Sequence, residues 1–390
     1  MAAVAAILLA APVGAGAEPV AERQPAPPTA EPTTPAKYVP VMPQRVLDTR
    51  NFGTSLGPNE TVTLDLAKQT APDATAVVLN VTGTEPTADT FVTVYRADEP
   101  VPGTSNLNLR RGQTRANAVT VAVSPLRAVT LDNFAGEVHL VVDLVGYYSI
   151  SEGAGYQAHF NPQRMLDTRS GAPVGPGGVI YVDLGLPSWF RPTAVTLNVT
   201  AVDATTNTFV SAYTAGRPVP ATSSLNLGPG EAVPNQVIVP LDTDRRVNLF
   251  NRFGNVHLIV DVVGYYVPGD GDAFVAIPPN RRMDTRLDGS GLRPDAPITL
   301  GDWAPEVKTV VANLTGTNAT AAQHVVVWPG VSQRPNASNL NLVPGQTAAN
   351  AVTVGVDFTP DVPERSVKFA NNAGYVDVIF DVVGYFVSTE

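Results

Sequence analysis

Two short motifs recur three times along this chain of 390 residues, always in the same order and at nearly equal spacing. The opening motif contains Asp-Thr-Arg and occupies residues 43–50, 162–169 and 279–286. The closing motif contains Asp, two aliphatic residues, Gly and two aromatic residues, and occupies residues 142–148, 260–266 and 380–386. A period of this length is that of a whole domain, so the pattern predicts duplication of one folding unit and excludes a short-period solenoid.

Within each repeat the residue pattern is that of β-structure. Segments rich in Val, Thr, Leu and aromatic residues are separated by Pro, Gly, Asn and Asp, without the apolar stripe of an amphipathic helix. About eight short strands in roughly 110 residues indicate an antiparallel sandwich of jelly-roll or immunoglobulin-like topology, and the sequence does not choose between them. The expected fold class is all-β, with three tandem antiparallel β-sandwich domains at residues 37–149, 155–267 and 272–388.

The first 36 residues differ from the repeats in composition. Residues 2–11 are apolar and Ala15-Gly16-Ala17 resembles a cleavage site, so residues 1–17 are predicted to be a signal peptide. Residues 18–36 are rich in Pro, Ala, Thr and Glu and are predicted to be a disordered spacer. The chain has no cysteine, which excludes thiol chemistry and a lipid-modified cysteine. We expect an exported, non-lipidated protein at an extracellular or cell-surface location.

The charge composition bears on the class of partner. The chain has 25 Lys and Arg against 35 Asp and Glu, and its net charge is −10. Nucleic-acid binding needs a basic face, and no run of Lys or Arg supplies one. After the N-terminal segment no stretch reaches the ~18–20 apolar residues that span a bilayer. We therefore expect neither a nucleic-acid partner nor a membrane span.

Each closing motif places one acidic residue among apolar neighbours on both faces of a strand. These residues are Asp143, Asp261 and Asp381. A buried carboxylate without a partner is strongly destabilising, so each should pair with a cation or with several hydrogen-bond donors. The sequence therefore predicts an ion pair inside every repeat.

The arginines of the opening motif are the candidate partners, because an arginine fork fits a carboxylate in bidentate geometry. The first arginine of each motif is Arg45, Arg164 or Arg281, and the arginine of Asp-Thr-Arg is Arg50, Arg169 or Arg286. In the favoured interpretation one of the two connects the first strand of the repeat to the last. Alternatively Asp-Thr-Arg lines a groove and forms a ligand site in each repeat, which would include Asp48, Asp167 and Asp284.

Asparagines and glycine–aromatic pairs also recur, and each has a structural and a binding interpretation. The asparagines include Asn80, Asn198 and Asn313 and the middle residue of a repeated Leu-Asn-Leu. Asn often satisfies turns and neighbouring backbone groups, so turn chemistry is favoured, with a sugar-binding surface as the alternative. The aromatic residues after Gly146, Gly264 and Gly384 are expected to pack in the core and at domain joints.

No catalytic group recurs in all three repeats. His139 and His257 share one repeat position, but Asp377 stands there in the third repeat, which argues against a repeated triad or metal cluster. Residues 53–57 match the Gly-x-Ser-x-Gly pattern of a nucleophile elbow but lack the strand before it and the helix after it. We therefore expect no enzymatic activity, no cofactor and no metal.

The combination of Arg-x-Leu-Asp-Thr-Arg with Asp-Val-Val-Gly-Tyr-Tyr resembles a tandem module of proteins that actinobacteria export. The resemblance covers residues 37–387 in three copies, and the third copy departs locally at Arg282-Met283. It implies an extracellular or cell-envelope setting and implies no activity.

Two classes of function follow from these observations. The first is a non-catalytic secreted or cell-envelope protein, acting as a structural spacer or as a multivalent binding module for cell-wall polysaccharide or a surface protein. Three linked weak sites would gain avidity. The alternative is a secreted glycan-active hydrolase that uses carboxylates, which predicts one repeat with distinctive acidic residues in a cleft.

Overall fold

The computed structural model describes residues 30–356 and 365–388, without the side chains of residues 52 and 160. In these ranges the chain forms 24 β-strands and two short 3-10 helices, Thr49–Phe52 and Thr168–Ser170. The predicted signal peptide, residues 1–17, and residues 18–29 of the predicted spacer lie outside the described residues.

Each repeat contributes eight strands. The first repeat contains β1 (Lys37–Asp48), β2 (Thr61–Asp65), β3 (Ala74–Thr84), β4 (Thr90–Arg96), β5 (Leu107–Leu109), β6 (Arg115–Ala122), β7 (Ala128–Asn133) and β8 (His139–Ser149). The second contains β9 (Gly155–Asp167), β10 (Val179–Asp183), β11 (Ala194–Val202), β12 (Thr208–Thr214), β13 (Leu225–Leu227), β14 (Ala232–Pro240), β15 (Arg246–Asn251) and β16 (His257–Val267). The third contains β17 (Ala273–Asp284), β18 (Ile298–Leu300), β19 (Val307–Thr317), β20 (Gln323–Pro329), β21 (Leu340–Leu342), β22 (Ala348–Gly355), β23 (Val367–Asn371) and β24 (Asp377–Val387).

The strands form six four-stranded antiparallel sheets, two from each repeat. Their orders are β1-β8-β3-β6 and β2-β7-β4-β5, then β9-β16-β11-β14 and β10-β15-β12-β13, then β17-β24-β19-β22 and β18-β23-β20-β21. The all-β class is confirmed, but the prediction of three tandem antiparallel β-sandwich domains, jelly-roll or immunoglobulin-like, is wrong. The six sheets are arranged as the blades of a six-bladed β-propeller ring.

The ring closes because the segment before each repeat pairs with another repeat. Ala154, which leads into the second repeat, pairs with Tyr38 of β1, and Asp272 pairs with Tyr156 of β9 in the same way. Ala36, before the first repeat, pairs with Phe274 of β17 and completes the cycle. A row of domains would lack this last pairing. Strand patterns and repeat length are the same in a row and in a ring, so the sequence did not distinguish them.

The end of the predicted spacer takes part in this closure. Ala36 exchanges two backbone hydrogen bonds with Phe274, at 2.9 and 2.8 Å. Thr33 donates its backbone N–H to the carbonyl of Ala276 at 2.9 Å, and its Oγ1 accepts the N–H of Ala276 at the same distance. These contacts place residues 33–36 within the ring.

Six buried aromatic side chains fill the centre where the three repeats meet. They are Tyr38, Tyr156 and Phe274 from the opening strands and Tyr148, Tyr266 and Phe386 from the closing strands. Each opening ring stacks on the closing ring of another repeat, with centroid distances of 4.2, 4.4 and 4.3 Å. Aromatic surface of this extent contributes strongly to stability, so part of the core belongs to no single repeat.

The glycine of the closing motif makes room for the opening ring. A Cβ atom on Gly146 would lie 2.1 Å from the hydroxyl of Tyr38, and Gly264 and Gly384 have equally close aromatic neighbours. A register shift beside Gly146 in the pairing of β3 with β8 marks a β-bulge. The motif therefore requires glycine because a ring crosses the strand at that point.

Candidate functional site

The first arginine of each opening motif pairs with the acidic residue of the closing strand. Arg45 Nε lies 2.7 Å from Asp143 Oδ1, and the equivalent distances are 2.9 Å for Arg164 and Asp261 and 2.8 Å for Arg281 and Asp381. The two residues are direct cross-strand partners in all three repeats. The three carboxylates are buried, so each arginine supplies the charge that burial of its partner requires.

The arginine of Asp-Thr-Arg pairs instead with the aspartate of its own motif. Arg50 donates from Nε to Asp48 Oδ1 at 2.8 Å and from Nη2 to Oδ2 at 2.6 Å. Asp48 Oδ1 also accepts the backbone N–H of Arg50 and caps the 3-10 helix that follows. The pairs Asp167–Arg169 and Asp284–Arg286 form the same bidentate fork. Local turn geometry therefore aligns this arginine with its own carboxylate.

The two ion pairs of a repeat join into one network. Arg45 Nη1 donates to Asp48 Oδ2 at 3.1 Å, and Arg164 and Arg281 reach Asp167 and Asp284 at 3.4 Å. Each network contains two arginines and two aspartates, so its formal charge is zero. An arrangement of this kind serves the scaffold and offers little uncompensated charge to a ligand.

Burial and pairing shift the pKa values of the two aspartates in opposite directions. Burial raises the pKa of Asp143, and the hydrogen bond from Arg45 offsets part of that shift; Asp261 and Asp381 behave alike. The hydrogen bonds from Arg169 lower the pKa of Asp167 to about 2. The aspartate of Asp-Thr-Arg is therefore held ionised by its own arginine.

The threonine of the opening motif anchors the start of the closing strand. Thr49 Oγ1 accepts the backbone N–H of Leu140 at 3.0 Å and lies 3.0 Å from Nδ1 of His139. In the third repeat the hydroxyl of Thr285 donates to Asp377 at 3.1 Å. Because a carboxylate takes the place of the imidazole, this position needs only a hydrogen-bond acceptor. In the part of the chain that the structure describes, no group of three or more His, Asp or Glu residues could hold a metal ion.

The recurring strand asparagines connect the repeats, which corrects their interpretation as turn residues. Asn80 Nδ2 donates to the carbonyl of Ser223 in the second repeat at 2.7 Å. Asn198 reaches Ser338 and Asn313 reaches Ser105, both at 2.8 Å, so the contacts run around the ring. Turn chemistry holds for a different asparagine: Asn133 donates to the carbonyl of Gly136 at 2.8 Å.

Two clefts of similar construction open at joints between repeats. The first has a volume of about 520 Å³ and lies between the third and first repeats. The second has a volume of about 510 Å³ and lies between the first and second repeats. One wall of each cleft is the edge strand of a blade, β5 or β13, and the other wall includes the loop before β22 or β6 of the preceding repeat.

An aromatic ring and an amide lie side by side in each cleft. Phe91 is the cross-strand partner of Asn108, and Phe209 is that of Asn226. The hydroxyl of Ser105 donates to Asn108 Oδ1 at 3.2 Å, and Asn226 accepts the equivalent bond from Ser223 at 3.1 Å. Nδ2 of both asparagines has no hydrogen-bond partner among residues 30–356 and 365–388, so both amides can donate to a ligand.

A larger groove of about 740 Å³ lies next to the first cleft, between the first and third repeats. Its lining includes Tyr95, Pro102, Ile277 and Pro279. Arg281 separates the groove from the cleft, because its Nη2 donates to the carbonyl of Gly103 at 2.9 Å across the joint. This contact ties the ion-pair network to the wall of both openings.

The sequence did not point to the phenylalanines of the clefts. Leu-Asn-Leu is visible as a repeated motif, but nothing in the sequence distinguishes Phe91 and Phe209 from the other aromatic residues of the strands. Their position in the repeat is occupied by His324 in the third copy. What marks this position is that it pairs across the sheet with the asparagine of Leu-Asn-Leu on the edge strand. That pairing can be seen only once the strand register is known.

Comparison with known proteins gives no family. No family model and no curated protein match the chain. One structure, from work on the triple jelly roll fold and turret assembly in an archaeal virus, is 9% identical with a TM-score of 0.21, covering 91% of this chain and 90% of that one. Another, of Sulfolobus Turreted Icosahedral Virus, is 10% identical with a TM-score of 0.21, covering 90% and 91%. Likeness at this level carries no argument about fold or function. No helix in the described ranges is long and apolar enough to cross a membrane.

Proposed function

We propose that this protein is a non-catalytic binding protein that holds a glycan chain in the clefts at its repeat joints. Export and a cell-envelope setting belong to the proposal, motivated by the apolar first residues and by the resemblance to an exported module. The ligand class is polysaccharide, in preference to a surface protein, because of the chemistry of the two clefts.

The observation that carries the proposal is the phenylalanine–asparagine pair in each cleft. A sugar ring has an apolar face, which packs on an aromatic side chain, and hydroxyl groups, which accept hydrogen bonds from an amide. Phe91 and Asn108 supply both in the first cleft, and Phe209 and Asn226 do so in the second. Apolar surface with a few directed polar groups is typical of small-ligand sites.

The ring geometry favours binding over a spacer role. A spacer gains length from domains in a row, whereas here the third repeat returns to the first through Phe274 and Ala36. Two similar clefts on one rigid body can engage one polymer at two points, which raises the apparent affinity.

Hydrolysis is less well supported, because the recurring aspartates are engaged by arginines. A glycosidase needs one carboxyl group that donates a proton and a second that acts as base or nucleophile. Asp48 and Asp143 are both within 3.1 Å of a guanidinium nitrogen, which suits neutralisation rather than proton transfer.

The proposal is tested with Phe91→Ala, Phe209→Ala and the double variant, measured by calorimetry on soluble cell-wall glycan fragments and on a glycan array. We expect the double variant to weaken binding about tenfold, since an aromatic contact contributes ~0.5–1.5 kcal/mol beyond its area. Tyr181→Ala is the matched control, because Tyr181 is 62% exposed and lines neither cleft. Wild-type protein that binds no glycan, or a double variant with unchanged affinity, would refute the proposal.

A further inference from the structure

We infer that the glycan is anionic and that Arg110 and Arg111 bind its negative groups; this inference rests on the function proposed above. Arg110 is half-buried and lines both clefts, whereas Arg111 is exposed and lines the second. The turn that carries these two arginines therefore lies between the two places where a polymer would bind.

The turn that carries these arginines occurs in every repeat. The backbone N–H of Gln113 donates to the carbonyl of Arg110 at 2.9 Å, and the side-chain Oε1 of Gln113 accepts the N–H of Arg110 at 3.1 Å. The second repeat forms both bonds between Gly228 and Glu231, and the third forms both between Val343 and Gln346. The backbone conformation of the turn thus forms with different residue types at its first two positions.

The backbone conformation of this turn does not require arginine at its second position. Its second residue is Pro229 in the second repeat and Pro344 in the third, and proline is favoured at the second position of a β-turn. The first repeat has Arg111 there. The third position is glycine in all copies, with φ of +73° at Gly112. The backbone conformation of the turn therefore does not require arginine at this position.

The acidic side chains around Arg110 and Arg111 accept hydrogen bonds from groups other than the two guanidinium groups. Asp89 accepts the backbone N–H of Arg111 at 2.8 Å, and Glu231 accepts from Arg115 at 3.2 Å. In residues 30–356 and 365–388, no carboxylate forms an ion pair with the guanidinium group of Arg110 or Arg111. Two adjacent arginines whose guanidinium groups form no ion pair with the described carboxylates, in a chain of net charge −10, make a local site for an anion.

The other arginines that line the clefts differ in this respect. Arg281 and Arg286 line the first cleft and belong to the ion-pair network of the third repeat. The positive charge offered to a ligand is thus concentrated on the turn at residues 110–113. A guanidinium fork binds carboxylate and phosphate groups in the same bidentate geometry, so the ligand is a glycan that bears one or the other.

The test replaces both arginines with the residues of the third repeat, as Arg110→Val with Arg111→Pro. This turn already exists in the chain, so the variant should keep the thermal unfolding midpoint of the wild type. The probes are polygalacturonate for carboxylate, poly(glycerol phosphate) for phosphate and dextran as the neutral polymer. The control is Lys68→Ala with Arg191→Ala, which also removes two exposed positive charges but leaves the clefts unchanged.

We expect the wild type to bind at least one charged polymer more tightly than dextran, with affinity falling as salt is added. The Arg110→Val, Arg111→Pro variant should bind that polymer roughly tenfold or more weakly and show a shallower salt dependence, since charge-assisted hydrogen bonds are lost. The control should keep its affinity. The probe that binds more tightly identifies carboxylate or phosphate as the group recognised.

Two results overturn the inference in distinguishable ways. If the Phe91→Ala, Phe209→Ala variant loses binding but the arginine variant does not, or if dextran binds as well as the charged polymers, the anionic character is wrong and the proposed function stands. If the wild type binds no glycan of any kind, the proposed function fails and this inference fails with it.

Discussion

Tyr38 of the first repeat stacks on Tyr266 of the second, with ring centroids 4.2 Å apart, and the hydroxyl of Tyr38 donates to the carbonyl of Val145 at 2.9 Å. Both tyrosines are buried at the centre of the ring. A residue near the start of one repeat therefore packs against the last strand of another. The stacks of Tyr156 on Phe386 and of Phe274 on Tyr148 join the other pairs of repeats in the same way.

Removal of the ring of Tyr38 should destabilise the whole protein. We expect Tyr38→Ala to lower the free energy of unfolding by about 3–5 kcal/mol, because it leaves a cavity among aromatic side chains. Urea unfolding monitored by circular dichroism measures the change, with the exposed Tyr181→Ala as control. A loss below about 1 kcal/mol, or separate unfolding transitions for the repeats, would show that the central cluster does not couple them.

The pairing of Arg45 with Asp143 should be worth far more than that of Arg50 with Asp48. Arg45→Met leaves the carboxylate of Asp143, which is 1% exposed, without its cation, and we expect a loss of about 3–5 kcal/mol. Arg50 is 48% exposed, and Arg50→Met should cost at most about 1 kcal/mol. Denaturant titration compares the two variants. The double variant Arg45→Met, Asp143→Leu should recover much of the loss, and failure to recover would mean that arginine packing dominates.

The hydrogen bonds of Ala36 should hold the ring closed. Ala36→Pro removes the N–H that donates to Phe274, so the start of β17 should open more readily. Hydrogen exchange followed by mass spectrometry should show faster exchange at residues 273–276 than in the wild type. Ala30→Pro is the control, because the N–H of Ala30 makes no hydrogen bond within the described ranges. Equal exchange in both variants would argue against closure by this segment.

Acid should destabilise the protein partly through Asp167. Its pKa is lowered from 3.8 to about 2, so in the folded protein it contributes stability that is present above pH 3.8 and is lost as pH falls toward 2. The raised pKa of Asp143 has the opposite sign, since a raised value favours the folded state at low pH. We expect Asp167→Asn to lower the thermal unfolding midpoint at neutral pH and to flatten its decline on acidification.

Asp183→Asn is the matched control for this titration, because Asp183 is an exposed residue of the same repeat. Its profile of unfolding midpoint against pH should follow that of the wild type. A decline for Asp167→Asn as steep as that of the wild type would show that the Asp167–Arg169 pair does not contribute to acid stability.

Much of the scaffold could be predicted from local patterns. Strand content and the threefold repeat follow from the spacing of apolar residues and motifs, which depends on residues close together in the chain. The need of Asp143 for a cation also follows from sequence, since an apolar strand buries whatever it carries. The choice between Arg45 and Arg50 did not follow, because it depends on the register of β1 against β8.

Tertiary structure alone decided the closure of the ring and the construction of the clefts. Both require surfaces that are far apart in sequence: Ala36 meets Phe274, and Phe91 shares a cleft with Thr347. A period-two pattern specifies which face of a strand is apolar, but it does not specify which other repeat covers that face. Which repeat covers that face depends on how closely aromatic rings pack over glycines such as Gly146. This shape complementarity exists only once all three repeats are assembled.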